Sequence, residues 1–286
     1  MTKQTQRIRR AVTTAVLVLA ATSPLGVPTA SGAARQCFGQ AASLVGTSGD
    51  DTLTGNPGRD IIVALGGHDR IIAGAGSDLV CVGRGNDAVF AGSGDDRVLG
   101  GTGADRLDGG GGADRLHGEH GNGDTVKGGP GADLLTGDGG RDLLKGGDGP
   151  DRLLLGGARG WGQIGIGGRG ADTIIGSRGQ DRIIGQQGAD TLRGRGLRDS
   201  IWGSDPSHPR ASDTAANRLF GGGGNDLVVG DLGDDTLDSG PGRDTLVGRS
   251  GDDFLDGGTE NDSGDGGPHD VGDTCRAIES TIDCEL

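Results

Sequence analysis

Aspartate recurs at a nearly constant interval of nine residues through most of this chain, and its carboxylate is the group best suited to chemistry here. Nearly every copy has a glycine two residues before it, and each has an aliphatic residue two residues after it, as Gly103, Asp105 and Leu107 illustrate. Carboxylates offer hard oxygen ligands to divalent cations. We predict as metal ligands Asp51, Asp60, Asp69, Asp78, Asp87, Asp96, Asp105, Asp114, Asp124, Asp133, Asp142, Asp151, Asp172, Asp181, Asp190, Asp199, Asp226, Asp235, Asp244 and Asp253.

The residues around each aspartate predict the elements that must position it. Glycine permits a tight turn with positive φ, and one aliphatic side chain per unit supplies one inward-facing position in a short strand. Although the chain contains 65 glycines, a strict period indicates a repeat architecture and not a flexible linker. The sequence therefore predicts an all-β stack of short strands joined by metal-binding turns.

Counted from its first glycine, each unit reads Gly-Gly-x-Gly-x-Asp-x-U-x with U aliphatic, as in residues 100–108 and 109–117. This pattern resembles the RTX, or haemolysin-type, calcium-binding repeat over residues 46–257. The resemblance implies a parallel β-roll (a β-solenoid) in which two units make one turn. Aspartates of successive turns on the same edge, together with turn carbonyls, would hold calcium ions. The units suffice for about eleven turns, and with strands about 4.8 Å apart the roll would be on the order of 50 Å long.

The period is irregular at 155–167 and at 204–216. If Ile164 fills the aliphatic position of the first irregular segment, Gly162 occupies the aspartate position and one calcium ligand is missing. The second segment carries two prolines and lacks the turn glycines, so we expect it to loop out of the roll. Asn217 then begins a degenerate return of the pattern.

Two other positions depart from the repeat, and after Gly257 the pattern decays. Leu197 and Glu260 each replace a turn glycine. Arginine directly follows several of the aspartates, and strand alternation should send its side chain outward. These arginines are Arg70, Arg97, Arg106, Arg115, Arg152 and Arg182.

The N-terminal residues predict export. A basic region that ends at Arg10 precedes an apolar stretch at 11–21, and small residues at 31–33 permit cleavage. The stretch is too short to span a bilayer, and an uncleaved N-terminal anchor is the alternative. Removing the four positive charges of this segment changes the formal net charge from −14 to −18. We predict a secreted, extracellular protein, either free or associated with the cell wall.

The predicted divisions are a signal peptide at 1–33, an N-terminal cap at 34–45, the calcium-binding roll at 46–257 and a C-terminal cap at 258–286. Four cysteines fit an oxidising compartment and allow three pairings. We predict the disulfides Cys37–Cys81 and Cys275–Cys284, one at each end of the chain. Free buried thiols are the alternative.

The composition excludes several functions. The sequence contains no serine nucleophile elbow, no His-Glu-x-x-His and no phosphate loop that continues into a helix, so we predict no enzymatic activity. An acidic chain should not bind nucleic acid, whose phosphates would repel it, and no segment is long enough for a membrane span. We predict bound calcium ions; a cell-surface glycan or protein stays open as a further partner, as does the oligomeric state.

Two functions remain in competition. The first is a calcium-binding module that folds on binding calcium and has a structural or adhesive extracellular role. The second is a non-catalytic accessory or attachment module of an extracellular enzyme or toxin system. Ice binding is disfavoured because the outward turn positions do not carry a regular array of Thr, Asn or Asp.

Overall fold

The computed structural model describes residues 36–121, 123–157, 162–205, 213–267 and 272–284. The predicted signal peptide at 1–33 and the two prolines of the predicted 204–216 loop lie outside these residues. Every regular element of the described residues is a β-strand, and the chain alternates between two facing parallel sheets. This arrangement confirms the predicted all-β parallel roll. No helix in the described part of the chain is long and apolar enough to cross a membrane.

A short antiparallel hairpin precedes the two sheets, and it consists of β1 (Gln36–Cys37) and β2 (Gln40–Ala41). Sheet I contains β3 (Leu44–Val45), β5 (Ile61–Gly66), β7 (Leu79–Arg84), β9 (Arg97–Gly103), β11 (Arg115–Gly121), β13 (Leu134–Thr136), β15 (Arg152–Leu154), β17 (Thr173–Ile175), β19 (Thr191–Gly196), β21 (Arg218–Gly223), β23 (Thr236–Asp238), β25 (Phe254–Asp256) and β27 (Thr274–Arg276). Sheet II contains β4 (Thr52–Thr54), β6 (Arg70–Ala75), β8 (Ala88–Ser93), β10 (Arg106–Gly111), β12 (Thr125–Pro130), β14 (Leu143–Asp148), β16 (Ile164–Arg169), β18 (Arg182–Gln187), β20 (Ser200–Trp202), β22 (Leu227–Val229), β24 (Thr245–Val247), β26 (Ser263–Asp265) and β28 (Ser280–Ile282).

Each sheet has 13 strands, so the roll is longer than the about eleven turns expected from the number of repeat units. The reason is that parallel pairing continues beyond residue 257, through β26, β27 and β28, and begins before residue 46, with β3. The division of the chain into a roll and two caps stays a prediction.

The aliphatic positions stack between the sheets as one continuous core. β10 pairs with β8 and β12 in a register that aligns Leu107 with Val89 and Val126, and all three side chains are buried. One such residue per unit contributes about 1.5–3 kcal/mol. Ordering the backbone costs about 1–2 kcal/mol for every residue of the unit. The core alone therefore cannot hold the roll together.

The irregular segment before β16 differs from the prediction. Gly165, and not Ile164, aligns with the core leucine of β14. Gln163, and not Gly162, consequently occupies the aspartate position. A Cβ at Gly165 would lie 2.9 Å from the side chain of Leu155, so the neighbouring aliphatic residues already fill this part of the core. The prediction failed because the hydrogen-bond register sets the core position, whichever residue is the more apolar.

The hairpin packs on the outer face of sheet I, where Cys37 is fully buried against Val63. Both predicted disulfides are confirmed. The Cα atoms of Cys37 and Cys81 are 5.6 Å apart, and those of Cys275 and Cys284 are 5.7 Å apart. The chain is thus cross-linked near each end of the two sheets.

Residues that depart from the repeat still adopt its backbone. Leu197 and Glu260 have φ values of 69° and 87°, in the left-handed region that the replaced glycines would occupy at lower cost. The outward orientation of the arginines is confirmed, because Arg70, Arg97, Arg106, Arg115, Arg152 and Arg182 are all exposed. A single substitution at a turn glycine therefore does not shift the register of the strands that follow it.

Candidate metal centres

Two ladders of side chains follow the two edges of the roll, where the chain crosses from one sheet to the other. Asp105 Oδ1 accepts the backbone N–H of Asp87 at 2.9 Å, and the N–H of Asp105 donates to Asp124 Oδ1 at 2.7 Å. The first edge repeats this bond through Asp51, Asp69, Asp87, Asp105, Asp124, Asp142, Gln163, Asp181, Asp199, Asp226, Asp244, Asp262 and Glu279. The second edge does so through Asp60, Asp78, Asp96, Asp114, Asp133, Asp151, Asp172, Asp190, Asn217, Asp235, Asp253 and Asp273.

Every aspartate predicted from the period lies in one of the two ladders, which also contain residues that the period missed. These are Gln163, Asn217, Asp262, Asp273 and Glu279. Asn217 lies two residues before the buried Leu219, and Asp273 two residues before the buried Cys275. A side-chain oxygen two residues before a core position is thus the signal that would have found these two residues.

The second carboxylate oxygen of most ladder aspartates has no protein partner. Asp105 is 2% exposed, and its Oδ2 receives no hydrogen bond. The same holds for Oδ2 of Asp69, Asp78, Asp87, Asp96, Asp114, Asp124, Asp133, Asp142, Asp151, Asp172, Asp190, Asp199, Asp226, Asp244, Asp253 and Asp262. Native proteins rarely leave buried polar atoms unpaired, and an uncompensated buried charge is strongly destabilising. A cation is the group that would satisfy these oxygens.

The first glycine of the unit makes room for the unpaired oxygen. A Cβ at Gly100 would lie 2.8 Å from Asp105 Oδ2 and 2.9 Å from the carbonyl oxygen of Gly118, one turn further on. A carboxylate oxygen and a turn carbonyl therefore lie close to the same point. Calcium takes such hard oxygens, about six to eight of them at about 2.3–2.6 Å. The residues present thus fit a calcium ion.

Backbone carbonyls must contribute much of the coordination. Among the described residues, no three His, Cys, Asp or Glu side chains are grouped so that they could hold a metal ion by themselves. This agrees with an RTX-like site, in which turn carbonyls accompany the aspartates.

Burial raises the pKa of most ladder aspartates, Asp105 among them. The pKa of Asp96 is raised to about 7 and that of Asp253 to about 8, chiefly because burial removes water from the carboxylate. The N–H from the previous turn lowers the pKa, whereas the aspartates one turn away raise it. Near neutral pH these carboxyls resist ionisation unless positive charge is added. Calcium held by these aspartates would supply that charge and favour their ionised form.

A second set of hydrogen bonds lies outside the ladders, at the residue that precedes several of the aspartates. Asn86 Oδ1 accepts the N–H of Ala104 at 2.9 Å, and Asp95 Oδ1 accepts the N–H of Ala113 at 2.8 Å. Both side chains are exposed. These polar side chains join adjacent turns at the surface of the roll.

The family model described as RTX calcium-binding nonapeptide repeat (4 copies) matches residues 45–80, 54–89, 90–123, 121–153, 166–201, 213–246 and 238–268. No curated protein matches the chain. The matched segments span well over half of the sequence and include every aspartate predicted from the period. Repeats of this family bind calcium and are typically non-catalytic. Calcium is therefore the cation that fits the unpaired Oδ2 atoms. The chain belongs to the RTX calcium-binding nonapeptide-repeat family.

Proposed function

We propose that the chain is a secreted structural or adhesive module whose roll folds when it binds calcium. The observation that carries this proposal is the two lines of buried carboxylates with unpaired Oδ2 atoms. Each ion binds only the folded arrangement and neutralises aspartates that repel each other across one turn. At a free calcium concentration 100 times the Kd, each site would stabilise the fold by about 2.7 kcal/mol.

Two features support an extracellular site of action. The basic and apolar N-terminal residues have the pattern of an export signal, and both pairs of cysteines form disulfides, which persist in oxidising compartments. Extracellular calcium modules work with Kd values of about 10⁻⁴–10⁻³ M. Export would thus carry an unfolded, acidic chain to the ion that folds it.

Circular dichroism of the mature chain (residues 34–286) tests the calcium-dependent fold. We expect a largely disordered spectrum in chelator and a β spectrum after addition of millimolar calcium. A β spectrum that chelation leaves unchanged would refute calcium-dependent folding. Fractionation of the producing cells tests the location, with the protein expected in the medium or the cell wall and not in the cytoplasm.

The attachment role has one specific observation in its favour. A groove of about 500 Å³ on the outer face of sheet II is lined in part by Lys127, Lys145, Asp148, Arg169 and Gln187. Lys145 has no ion-pair partner among the described residues. Cationic and amide groups of this kind suit a glycan or the carboxylates of a partner protein.

A pull-down with the producer's cell-wall glycans and secreted proteins tests this second role. We expect capture by the calcium-loaded protein and a loss of capture in Lys145→Glu. The variant Arg115→Glu, on the outer face of sheet I, is the matched control and should keep full capture. Equal capture by all three proteins would eliminate the groove as an attachment site.

A further inference from the structure

Four ladder aspartates are satisfied from within the protein, and we infer that their turns take no calcium ion. In each, Oδ2 accepts the backbone N–H of the residue four positions earlier in the same turn. The pairs are Asp51 with Thr47 at 2.6 Å, Asp60 with Asn56 at 2.6 Å, Asp181 with Ser177 at 2.5 Å and Asp235 with Asp231 at 2.7 Å. We call these the capped turns. The inference rests on the calcium binding of the other turns and specifies which positions the ions occupy.

The residue that supplies the N–H distinguishes a capped turn from an open one. We call a turn open when Oδ2 of its aspartate is unpaired. In an open turn the second residue of the unit has positive φ, as Gly101 does with a φ of 104°. In the capped turns it is a short polar residue without positive φ. Ser177 Oγ accepts the N–H of Gly179 at 2.9 Å, and Thr47 and Asp231 make the same kind of bond two residues ahead. Such local turns are characteristic of Ser, Thr, Asp and Asn, and here they direct the N–H towards the aspartate.

The N–H occupies the oxygen that a cation would need. A hydrogen bond from an amide to a carboxylate contributes about 1.5–3 kcal/mol, and an ion would have to break it. Both oxygens of Asp181 are occupied in this way. Its Oδ1 accepts the N–H of Gln163 at 2.9 Å and the hydroxyl of Ser177 at 3.0 Å, while its Oδ2 accepts the N–H of Ser177.

Amide side chains extend the calcium-free positions. Gln163, the neighbour of Asp181 in its ladder, donates from Nε2 to the carbonyl oxygen of Gly140 at 2.6 Å. The amide nitrogen thus binds a carbonyl that would otherwise be available to an ion. On the second edge, the neutral Asn217 is the neighbour of the capped Asp235. Each ladder therefore contains two consecutive residues whose turns need no ion, Gln163 with Asp181 and Asn217 with Asp235. The first aspartate of each ladder, Asp51 or Asp60, also lies in a capped turn.

Native mass spectrometry at a free calcium concentration that saturates the wild type counts the bound ions. Asp181→Asn should bind as many ions as the wild type, because its turn held none. The matched variant is Asp199→Asn, at the next position of the same ladder, where Oδ2 is unpaired; it should lose one ion. A loss of one ion from Asp181→Asn, or no loss from Asp199→Asn, would overturn the inference.

A gain of binding provides the converse measurement. Gln163→Glu keeps the shape and the Oε1 acceptor but places a second carboxylate oxygen against the Gly140 carbonyl. We expect one additional calcium ion per molecule and a β spectrum in calcium like that of the wild type. An unchanged count in this folded variant would contradict the inference. If the wild type bound no calcium at all, the proposed function would fail instead, so the two failures are distinguishable.

Discussion

Removing a single ladder carboxylate should destabilise the calcium-loaded roll far more than removing a surface one a few residues away. Asp105 is buried, accepts the N–H of Asp87 and has an unpaired Oδ2. Asp108 belongs to the same unit but pairs with Lys127 across 3.4 Å at a partly exposed position. The informative set is Asp105→Ala, Asp105→Asn and Asp108→Ala.

The three substitutions remove different interactions, and each has its own cost in free energy of unfolding. Asp105→Ala leaves the buried N–H of Asp87 unpaired, at a cost of about 1–3 kcal/mol. It also removes one ion, worth about 2.7 kcal/mol at a free calcium concentration 100 times the Kd, so the total is about 4–6 kcal/mol. Asp105→Asn keeps an acceptor for the N–H and loses only the ion contribution. Asp108→Ala loses an exposed ion pair, worth about 0–1 kcal/mol.

Chemical denaturation in saturating calcium, followed by circular dichroism, measures the free energy of unfolding of each variant. We expect the losses to follow the order Asp105→Ala, Asp105→Asn, Asp108→Ala, with the last close to the wild type. Equal losses for Asp105→Ala and Asp108→Ala would mean that bulk charge controls the fold and that phased coordination does not.

Two further predictions follow from the ladders. Because burial raises the folded-state pKa of Asp190 to about 8 from an ordinary 3.8, protons stabilise the calcium-free roll; this stability is fully present below about pH 4 and lost as the pH rises through 8. In chelator, the β signal should therefore grow on acidification from pH 8 to pH 5, and growth towards alkaline pH would contradict the assignment. As calcium is lowered, limited proteolysis should cut first near Gly156–Gly167 and Ser204–Ala216 and leave residues 46–153 longest. Cleavage that begins within residues 87–116 would contradict the expectation that these two irregular segments are the weakest parts of the roll.

Most of the fold was predictable because each residue type of the unit has one local physical role. Gly103 permits the turn, Asp105 offers the oxygen and Leu107 enters the core, and parallel stacking repeats the same contacts at every turn. The positions that escaped prediction lie where register overrides residue type. Gln163 entered the ladder because the hydrogen bonds between β14 and β16 place it there. Its side chain had only to present one oxygen to the N–H of the previous turn.

The hydrogen bonding of the ladder carboxylates was less predictable than the fold, because it depends on a residue that the period ignores. Asp181 and Asp199 occupy the same position in successive turns of one ladder, and the sequence pattern treats them as equal. Their second oxygens nevertheless differ, since Ser177 donates its N–H to Asp181 while Arg195 takes a φ of 94° and makes no such bond. A short polar residue four positions before the aspartate therefore indicates an internally satisfied turn, provided that its backbone avoids the left-handed region. Asp138 shows why this condition is needed: it has a φ of 59°, and Asp142 Oδ2 remains unpaired. Residue type suggests the capped turn, but the backbone conformation decides it.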